Sequence, residues 1–352
     1  MTRARPAALH EGEEPGLLGR WAGRVLRSRE VAHPLPDARW RAWETAFWLL
    51  PVAWALAMPS WRLLASQVFI TGLFALSLDL LLGYAGIVSL GQAAFFGTGA
   101  YAAGLLARHG WGEPLTGLLA ATAAAAVLAW LSSHLVVRAV GLGRLMLTLG
   151  VGLVCYEAAN RAAPITGGVD GLTGVAMWRL LGRFPFDLMG TTACAYALVV
   201  LFLTFLLLRA VVTSPFGLSI RAIRDNPARM AALGAPVERR LRAAFTLAGA
   251  VAGLAGGLLA QTTQFVGLDY LSFPRSADLL VMVVLGGAGR LYGALVGATI
   301  FMLAQDRLSG LDPTYWQLWL GLVLVAVVLF ARGGVLGGLE RLARRSRRRP
   351  AP

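Results

Sequence analysis

Long apolar runs, separated by short segments rich in arginine, make up most of the chain. A helix crosses the hydrocarbon core of a bilayer with about 20 apolar residues, and most of these runs are about that long. The runs lie at about 45–60, 63–83, 87–107, 115–137, 145–162, 189–211, 242–264, 277–305 and 315–331. The pattern therefore predicts an all-α polytopic membrane protein.

The run 277–305 differs from the others because glycine interrupts it. As one helix it would span about 43 Å, which is too long for one upright crossing and too short for two full ones. Its middle, Gly286–Gly297, is rich in glycine and contains Arg290. We predict a broken or re-entrant pair of short helices joined near the cytoplasmic face, which gives about ten transmembrane segments. One long tilted helix is the alternative.

The distribution of arginine predicts the orientation of these segments. Every basic residue of the chain is arginine, and an excess of Lys and Arg marks the cytoplasmic side of a membrane protein. Both termini and the loop 213–242 are therefore predicted to be cytoplasmic. The predicted organisation is a basic tail over 1–44, a transmembrane domain over 45–331 and a basic tail over 332–352. The first tail fits either an amphipathic helix on the lipid surface or a disordered segment.

Composition and charge exclude several classes of function. Only 14% of the residues are charged, against about 25% in ordinary soluble domains. The net charge of +14 would suit nucleic acid, but the arginines flank apolar runs, so we expect the lipid bilayer and not nucleic acid as a partner. A P-loop requires a lysine, which this chain lacks. No metal-ligand spacing and no catalytic constellation occur, so we expect no metal, no cofactor and no enzymatic activity.

A row of small residues follows one face of the run 87–107. Helices in lipid associate through close backbone approach, which small side chains permit. The row has spacings of four, four, three and four, and consists of Ser89, Ala93, Gly97, Ala100 and Gly104. The row indicates a helix packed at the centre of a bundle, either lining a pathway or serving packing alone.

Four stretches of the chain carry a family resemblance. They are LLLGYAGIVSLGQAAFFGTGAYAAGLL (80–106), ITGGVDGLTGV (165–175), SPFGLSIRAIRDNPARMAALG (214–234) and LLVMVVLGGAGRLYGALVGA (279–298). Together they resemble the membrane subunits of bacterial high-affinity branched-chain amino acid ABC importers, and the second and third are similar to the M-type subunit. The resemblance covers about residues 62–340.

The resemblance implies a permease subunit that moves branched-chain amino acids by alternating access. It implies a second permease, two cytoplasmic ATPase subunits that bind the ATP, an extracytoplasmic solute-binding protein, and a location in the bacterial plasma (inner) membrane. An importer of urea or short amides is an alternative within the same class. A stand-alone secondary transporter is an alternative from another class, and its ion-coupling candidates would be Asp79, Glu157 and Asp278.

The loop 213–242 is expected by resemblance to receive the movement of the ATPase. Pro215 and Pro227 suit the first turns of two short helices, and Gly234 suits the end of the second. The expected coupling residues are Arg221, Arg224, Asp225, Asn226, Pro227 and Gly234. Alternatively, the arginines of this loop only fix topology.

Polar and small residues inside the apolar runs are the remaining candidates. For the pathway or for helix packing we name Ser89, Gln92, Ala93, Gly97, Gly99 and Tyr101. Ionisable groups in a membrane are costly and are functional candidates. We expect Asp79 to be a protonated or hydrogen-bonded structural carboxyl. Glu157 and Asp278 lie near helix ends, where Arg161 and Arg275 can offset their charge, and we expect an interface role for both.

Overall fold

The structure is a computed structural model that describes residues 42–57, 61–180, 182–185 and 190–311, with scattered positions between 315 and 337. Three predictions therefore fall wholly or mostly outside the described residues. They concern the N-terminal tail with its surface helix, the last apolar run at 315–331, and the C-terminal tail 332–352.

The described part of the chain is helical. A single π-helical turn, Leu80–Ala85, continues α2, and the structure contains isolated β-bridges at Leu172 with Val266 and at Leu180 with Phe184. The helices are α1 (Ala42–Ala57), α2 (Arg62–Asp79), α3 (Gln92–Arg108), α4 (Pro114–Val136), α5 (Leu142–Arg161), α6 (Ala163–Thr166), α7 (Thr191–Thr213), α8 (Pro215–Asp225), α9 (Pro227–Ala232), α10 (Val237–Thr263), α11 (Phe273–Gly286) and α12 (Leu291–Leu311).

Several of these helices are long and apolar enough to cross a membrane. The described residues contain five such spans, or six if the bent pair α11 and α12 counts as one more. The spans are Arg62–Ala85, Pro114–Val136, Leu142–Arg161, Thr191–Thr213 and Val237–Thr263. These helices confirm an all-α multi-pass membrane protein, while the total of ten segments and their orientation stay predictions.

Small residues hold the centre of the bundle together. A side chain on Gly253 of α10 would overlap Ala125 of α4, and one on Gly99 of α3 would overlap the backbone of Gly253. The same close approach recurs one turn away on each side, where Gly249 meets Ala129 and Gly257 meets Ala121. Because helices in lipid gain little from burying apolar surface against each other, this backbone approach explains the many glycines of α3 and α10.

The predicted helix over 87–107 begins too early. In the structure α3 begins at Gln92, so Ser89 lies in a non-helical segment and does not extend the small-residue face of the helix. Gly86 has a φ of 70° and ends the π-helical turn. The backbone N–H of Leu90 donates to Thr148 Oγ1 at 3.1 Å. Thr148 of α5 therefore provides an acceptor for one backbone N–H of this non-helical segment.

The predicted break in the run 277–305 is confirmed, but it is shorter than predicted. The bend between α11 and α12 is 117°, which excludes one long tilted helix. Only residues 287–290 are non-helical, whereas the predicted break extended to Gly297. Gly293 and Gly297 are helical and lie against the backbones of Gly286 and Met282, respectively. These glycines therefore serve the close packing of the two helices.

Candidate functional site

Helix α8 lies on the end of the bundle through its apolar face. Pro215 occupies its first turn, and Ser214 Oγ caps it by accepting from the backbone N–H of Gly217 at 3.4 Å. Ile220 and Ile223 are buried on one face. The proline and the serine cap thus fix where the helix begins, and its spacing of apolar residues fixes which face contacts the bundle.

Helix α9 follows at once and presents an exposed tip. Asn226 Oδ1 accepts from the backbone N–H of Arg229 at 2.9 Å, and Pro227 occupies the first turn. Gly234, with a φ of 79°, follows the end of the helix. The two short helices predicted after Pro215 and Pro227 are therefore present. No residue of α9 is buried, and Leu233 is 73% exposed.

Two arginines of α8 face the π-helical turn of the same chain. Arg224 Nη1 donates to the carbonyl oxygen of Gly83. The guanidinium of Arg221 lies over the ring of Tyr84, 4.8 Å from its centroid. Both arginines share one face, as their spacing predicts, but that face contacts the transmembrane domain. Their observed contacts are therefore within the chain.

The π-helical turn also contacts the break between α11 and α12. Asp79 is fully buried, and its Oδ1 accepts from the backbone N–H of Gly289 at 2.7 Å. A side chain on Gly83 would overlap the backbone of Gly289. Asp79 therefore accepts a hydrogen bond within the chain, and its role as a structural carboxyl stays a prediction. π-Helical turns inside α-helices often mark functional sites, and this one joins three separate parts of the chain.

We call the contact region formed by Asp79, Gly83, Tyr84, Arg224 and Gly289 the junction. It connects α8, the π-helical turn that follows α2, and the break of the bent pair. In one hydrogen bond the side chain of Arg224 donates to the backbone of Gly83, and in the other the backbone of Gly289 donates to the side chain of Asp79. The first bond joins α8 to the π-helical turn, and the second joins that turn to the helix break.

Sequence reasoning missed Gly83, Tyr84 and Gly289 as members of this region. All three lie in the glycine-rich stretches that the resemblance singled out. The glycine-rich stretches indicated that small residues are needed at these positions. No local pattern, however, shows that Gly83 and Gly289 contact each other.

The candidates on α3 lie away from the junction. Gln92, Ala93, Gly97, Gly99 and Tyr101 are buried. In the described part of the chain, the side-chain amide of Gln92 and the hydroxyl of Tyr101 have no hydrogen-bond partner.

The three acidic candidates occupy three separate places. Asp79 lies in the junction. Glu157 pairs with Arg161 at 2.7 Å, and its side chain is 51% exposed. Asp278 lines a cavity together with Arg275. Among the described residues, no group of three or more His, Cys, Asp or Glu side chains could hold a metal ion.

A buried ion pair was not anticipated by the sequence analysis. Arg209 Nη1 of α7 lies 2.7 Å from Glu44 Oε2 of α1, and the exposed fractions of the two side chains are 14% and 7%. Glu44 had been grouped with the N-terminal tail, but α1 begins at Ala42. The pair fastens α1 to the bundle.

Comparison with known proteins assigns the family. The profile of the family described as "Branched-chain amino acid transport system / permease component" matches residues 62–331. The chain is 26% identical over 319 residues to the high-affinity branched-chain amino acid transport system permease protein LivM of Escherichia coli (strain K12), which covers 83% of this chain and 73% of the relative. No solved structure matches the chain significantly.

Two further relatives have different names. The chain is 30% identical over 154 residues to the permease protein LivH of E. coli (strain K12), covering 43% of this chain and 49% of the relative. It is 31% identical over 263 residues to the autoinducer 2 import system permease protein LsrC of Shigella flexneri, covering 69% and 70%. Because the profile spans more than half of the chain and includes the junction, the protein belongs to the family of branched-chain amino acid ABC transport permease components, which are membrane transport subunits and not enzymes.

Proposed function

We propose that the protein is the membrane-spanning permease subunit of an ABC importer that moves a small solute, with branched-chain amino acids as the leading cargo. Alternating access is driven by separate ATPase subunits. The observation that carries this proposal is the hydrogen bond from Arg224 of α8 to Gly83, next to the bond between Asp79 and Gly289. This arrangement suits an element that passes movement from outside the bundle to its interior.

The two short helices divide the coupling between an outer and an inner face. The outer face is exposed at Asp225, Asn226, Pro227 and Gly234, and its apolar tip ends at Leu233. An exposed apolar tip bordered by polar residues suits a protein partner, and we assign it to the ATPase. The inner face carries Arg221 and Arg224, which transmit the movement to the junction.

The proposed assembly and orientation follow the family pattern. Relatives with the two names LivM and LivH are both similar to this chain, which supports a heterodimer with a second permease. Two cytoplasmic ATPase subunits bind the ATP, and an extracytoplasmic protein delivers the solute. We place about ten segments of the domain 45–331 in a bacterial inner membrane, with the loop 213–242 and the tails 1–44 and 332–352 in the cytoplasm.

The cargo has a specific alternative. A permease of an autoinducer 2 import system is 31% identical to this chain, so the fold serves solutes other than amino acids. Urea and short amides stay possible for the same reason. A stand-alone secondary transporter is disfavoured, because Asp79, Glu157 and Asp278 lie in separate places and form no relay for a coupling ion.

The test is purification of the tagged protein from its native membrane in mild detergent, followed by mass spectrometry. We expect P-loop ATPases and a second permease in the wild-type sample. Leu233→Asp is expected to remove the ATPases, because it puts a charge on the apolar tip. Val140→Asp is the matched control, since Val140 is also in a loop and is 81% exposed.

Two results would contradict the proposal. One is recovery of the chain alone with solute movement that needs no ATP. The other is equal loss of the ATPases in Leu233→Asp and Val140→Asp, which would remove the assignment of the tip.

A further inference from the structure

A cavity of about 250 Å³ lies between α2, α10, α11 and α12, and no residue of the junction lines it. It is smaller than the pockets of about 300–1,000 Å³ that hold drug-sized ligands, so its size suits one small solute. Its lining includes one cation, two carboxyl groups and two amide side chains. Such groups are costly in a membrane-spanning region, and structural packing alone does not require them.

Arg275 is the unusual member of this lining. Its guanidinium lies 5.6 Å from the ring centroid of Phe96 and 5.5 Å from that of Tyr270. Within the part of the chain that the structure describes, it makes no hydrogen bond and no ion pair. The two rings therefore hold a half-buried cation in place, and its donors stay available for an anion.

Asp278 lies one turn further along α11 and lines the same cavity. Its carboxyl group also makes no hydrogen bond or ion pair with any described residue. Residues three apart share a face of a helix. Helix α11 therefore presents the guanidinium of Arg275 and the carboxyl group of Asp278 side by side. The amino-terminal turn of α11 adds a partial positive charge near Arg275.

The cavity has a polar end and an apolar end. On α11 the charged residues Arg275 and Asp278 precede Met282, which lies about 10 Å from Arg275 along the axis. On α12, which turns away from α11 by 117° at the break, Phe301 precedes Gln305. The polar residues of both helices are thus at the end away from the helix break, and the apolar residues are at the end towards it.

We propose that this cavity binds the transported solute as a zwitterion with an aliphatic side chain. Arg275 takes the carboxylate, Asp278 takes the ammonium group, and the side chain points towards Met282 and Phe301. This inference rests on the proposed function and adds to it the position of the solute in the permease. It also gives Asp278 a ligand role in place of the interface role expected from the sequence.

Thiol protection tests the proposal without the binding protein. The sequence contains two cysteines, Cys155 and Cys194. Both are replaced by alanine, and Thr71, which lines the cavity, becomes Thr71→Cys. A charged, water-soluble methanethiosulfonate reagent labels this site in the intact complex. Val127→Cys, an outward-facing position of α4 that is 57% exposed, is the control that this reagent does not reach.

Addition of L-leucine is expected to slow the labelling of Thr71→Cys. Isopentylamine, which lacks the carboxylate, and 4-methylpentanoate, which lacks the ammonium group, are expected to protect only at about tenfold higher concentration, the change that the loss of about 1.4 kcal/mol produces. Arg275→Gln should abolish the difference between L-leucine and isopentylamine, and Arg275→Lys should keep it. The difference in protection between L-leucine and isopentylamine reports recognition of the carboxylate. It stays unchanged in Arg275→Gln if Arg275 only supports the fold.

The outcomes separate this inference from the proposed function. ATP-driven import of L-leucine with no protection of Thr71→Cys would overturn the cavity assignment and leave the proposed function standing. Protection by L-leucine in a chain that recovers no ATPase would contradict the proposed function alone. Equal protection by L-leucine and isopentylamine in the unchanged Arg275 background would also overturn the assignment.

Discussion

Substitution of Gly83 by alanine is the sharpest perturbation of the junction. A Cβ atom at this position would lie 2.6 Å from Cα of Gly289, and it would also overlap Gly289 N and Asp79 Oδ1. Most of these neighbours are backbone atoms, which cannot rotate away. The π-helical turn and the helix break must therefore separate, and the hydrogen bond from Gly289 to Asp79 is strained or lost.

The expected magnitude follows from this overlap. Overpacking a tight site costs about 1–3 kcal/mol, and 1.4 kcal/mol corresponds to a factor of ten. Gly83→Ala therefore shifts the equilibrium between the intact and the separated junction against the intact form by about 5- to 140-fold. We therefore expect a fall in solute uptake per ATP hydrolysed, with ATPase recovery unchanged.

The assay compares this variant with the same substitution at a glycine where an added Cβ atom meets no neighbour. A Cβ on Gly150, in the middle of α5, meets no atom within 4 Å. Gly150→Ala should keep full uptake, because alanine favours a helix by about 1 kcal/mol relative to glycine. Uptake and ATP hydrolysis are measured on the complete complex in proteoliposomes. Equal uptake per ATP in Gly83→Ala and Gly150→Ala would show that the close contact between Gly83 and Gly289 is not needed for coupling.

Three further substitutions test separate contacts. Arg224→Ala should lower uptake per ATP while the ATPases still co-purify, whereas Arg138→Ala, at an exposed loop arginine outside α8 and α9, should leave that ratio unchanged; loss of the ATPases in Arg224→Ala would place Arg224 in the docking surface instead. Asp79→Asn keeps the carbonyl oxygen that accepts the backbone N–H and should retain uptake, whereas Asp79→Leu should lose it; two equally active variants would remove Asp79 from the junction. Glu44→Gln leaves a buried arginine without its ionic partner and should cost about 3–5 kcal/mol of stability in thermal unfolding, whereas Glu157→Gln breaks an exposed pair and should change little; similar melting temperatures would contradict the importance of the buried pair.

The helices of this protein could be predicted because the thickness of the bilayer sets the length of each apolar run. The first seven apolar runs all contain a described helix. The helix starts at Pro215 and Pro227 could also be predicted, since proline is favoured in a first turn. The pair broken near Arg290 was visible from its length and its glycines. These features depend on local sequence or on segment length.

Contacts between distant segments could not be predicted in this way. The spacing of Arg221 and Arg224 shows that they share a face, but packing decides whether that face contacts a partner or the chain itself. The π-helical turn at Leu80–Ala85 has no sequence pattern that distinguishes it from an α-helix. The same limit applies to Ser89, whose segment lies outside the helix, where the backbone N–H of the neighbouring Leu90 donates to Thr148.

Coupling through the junction requires that α8 and the helix break move as one unit when the ATPases act. Spin labels on Leu218→Cys of α8 and Ala288→Cys of the break, in a protein whose natural cysteines are replaced, measure the distance between the two. We expect one narrow distance distribution that stays the same with and without trapped nucleotide, and a broad or shifted one when Arg224→Ala is added. A distance that changes between nucleotide states while Arg224 is intact would contradict it.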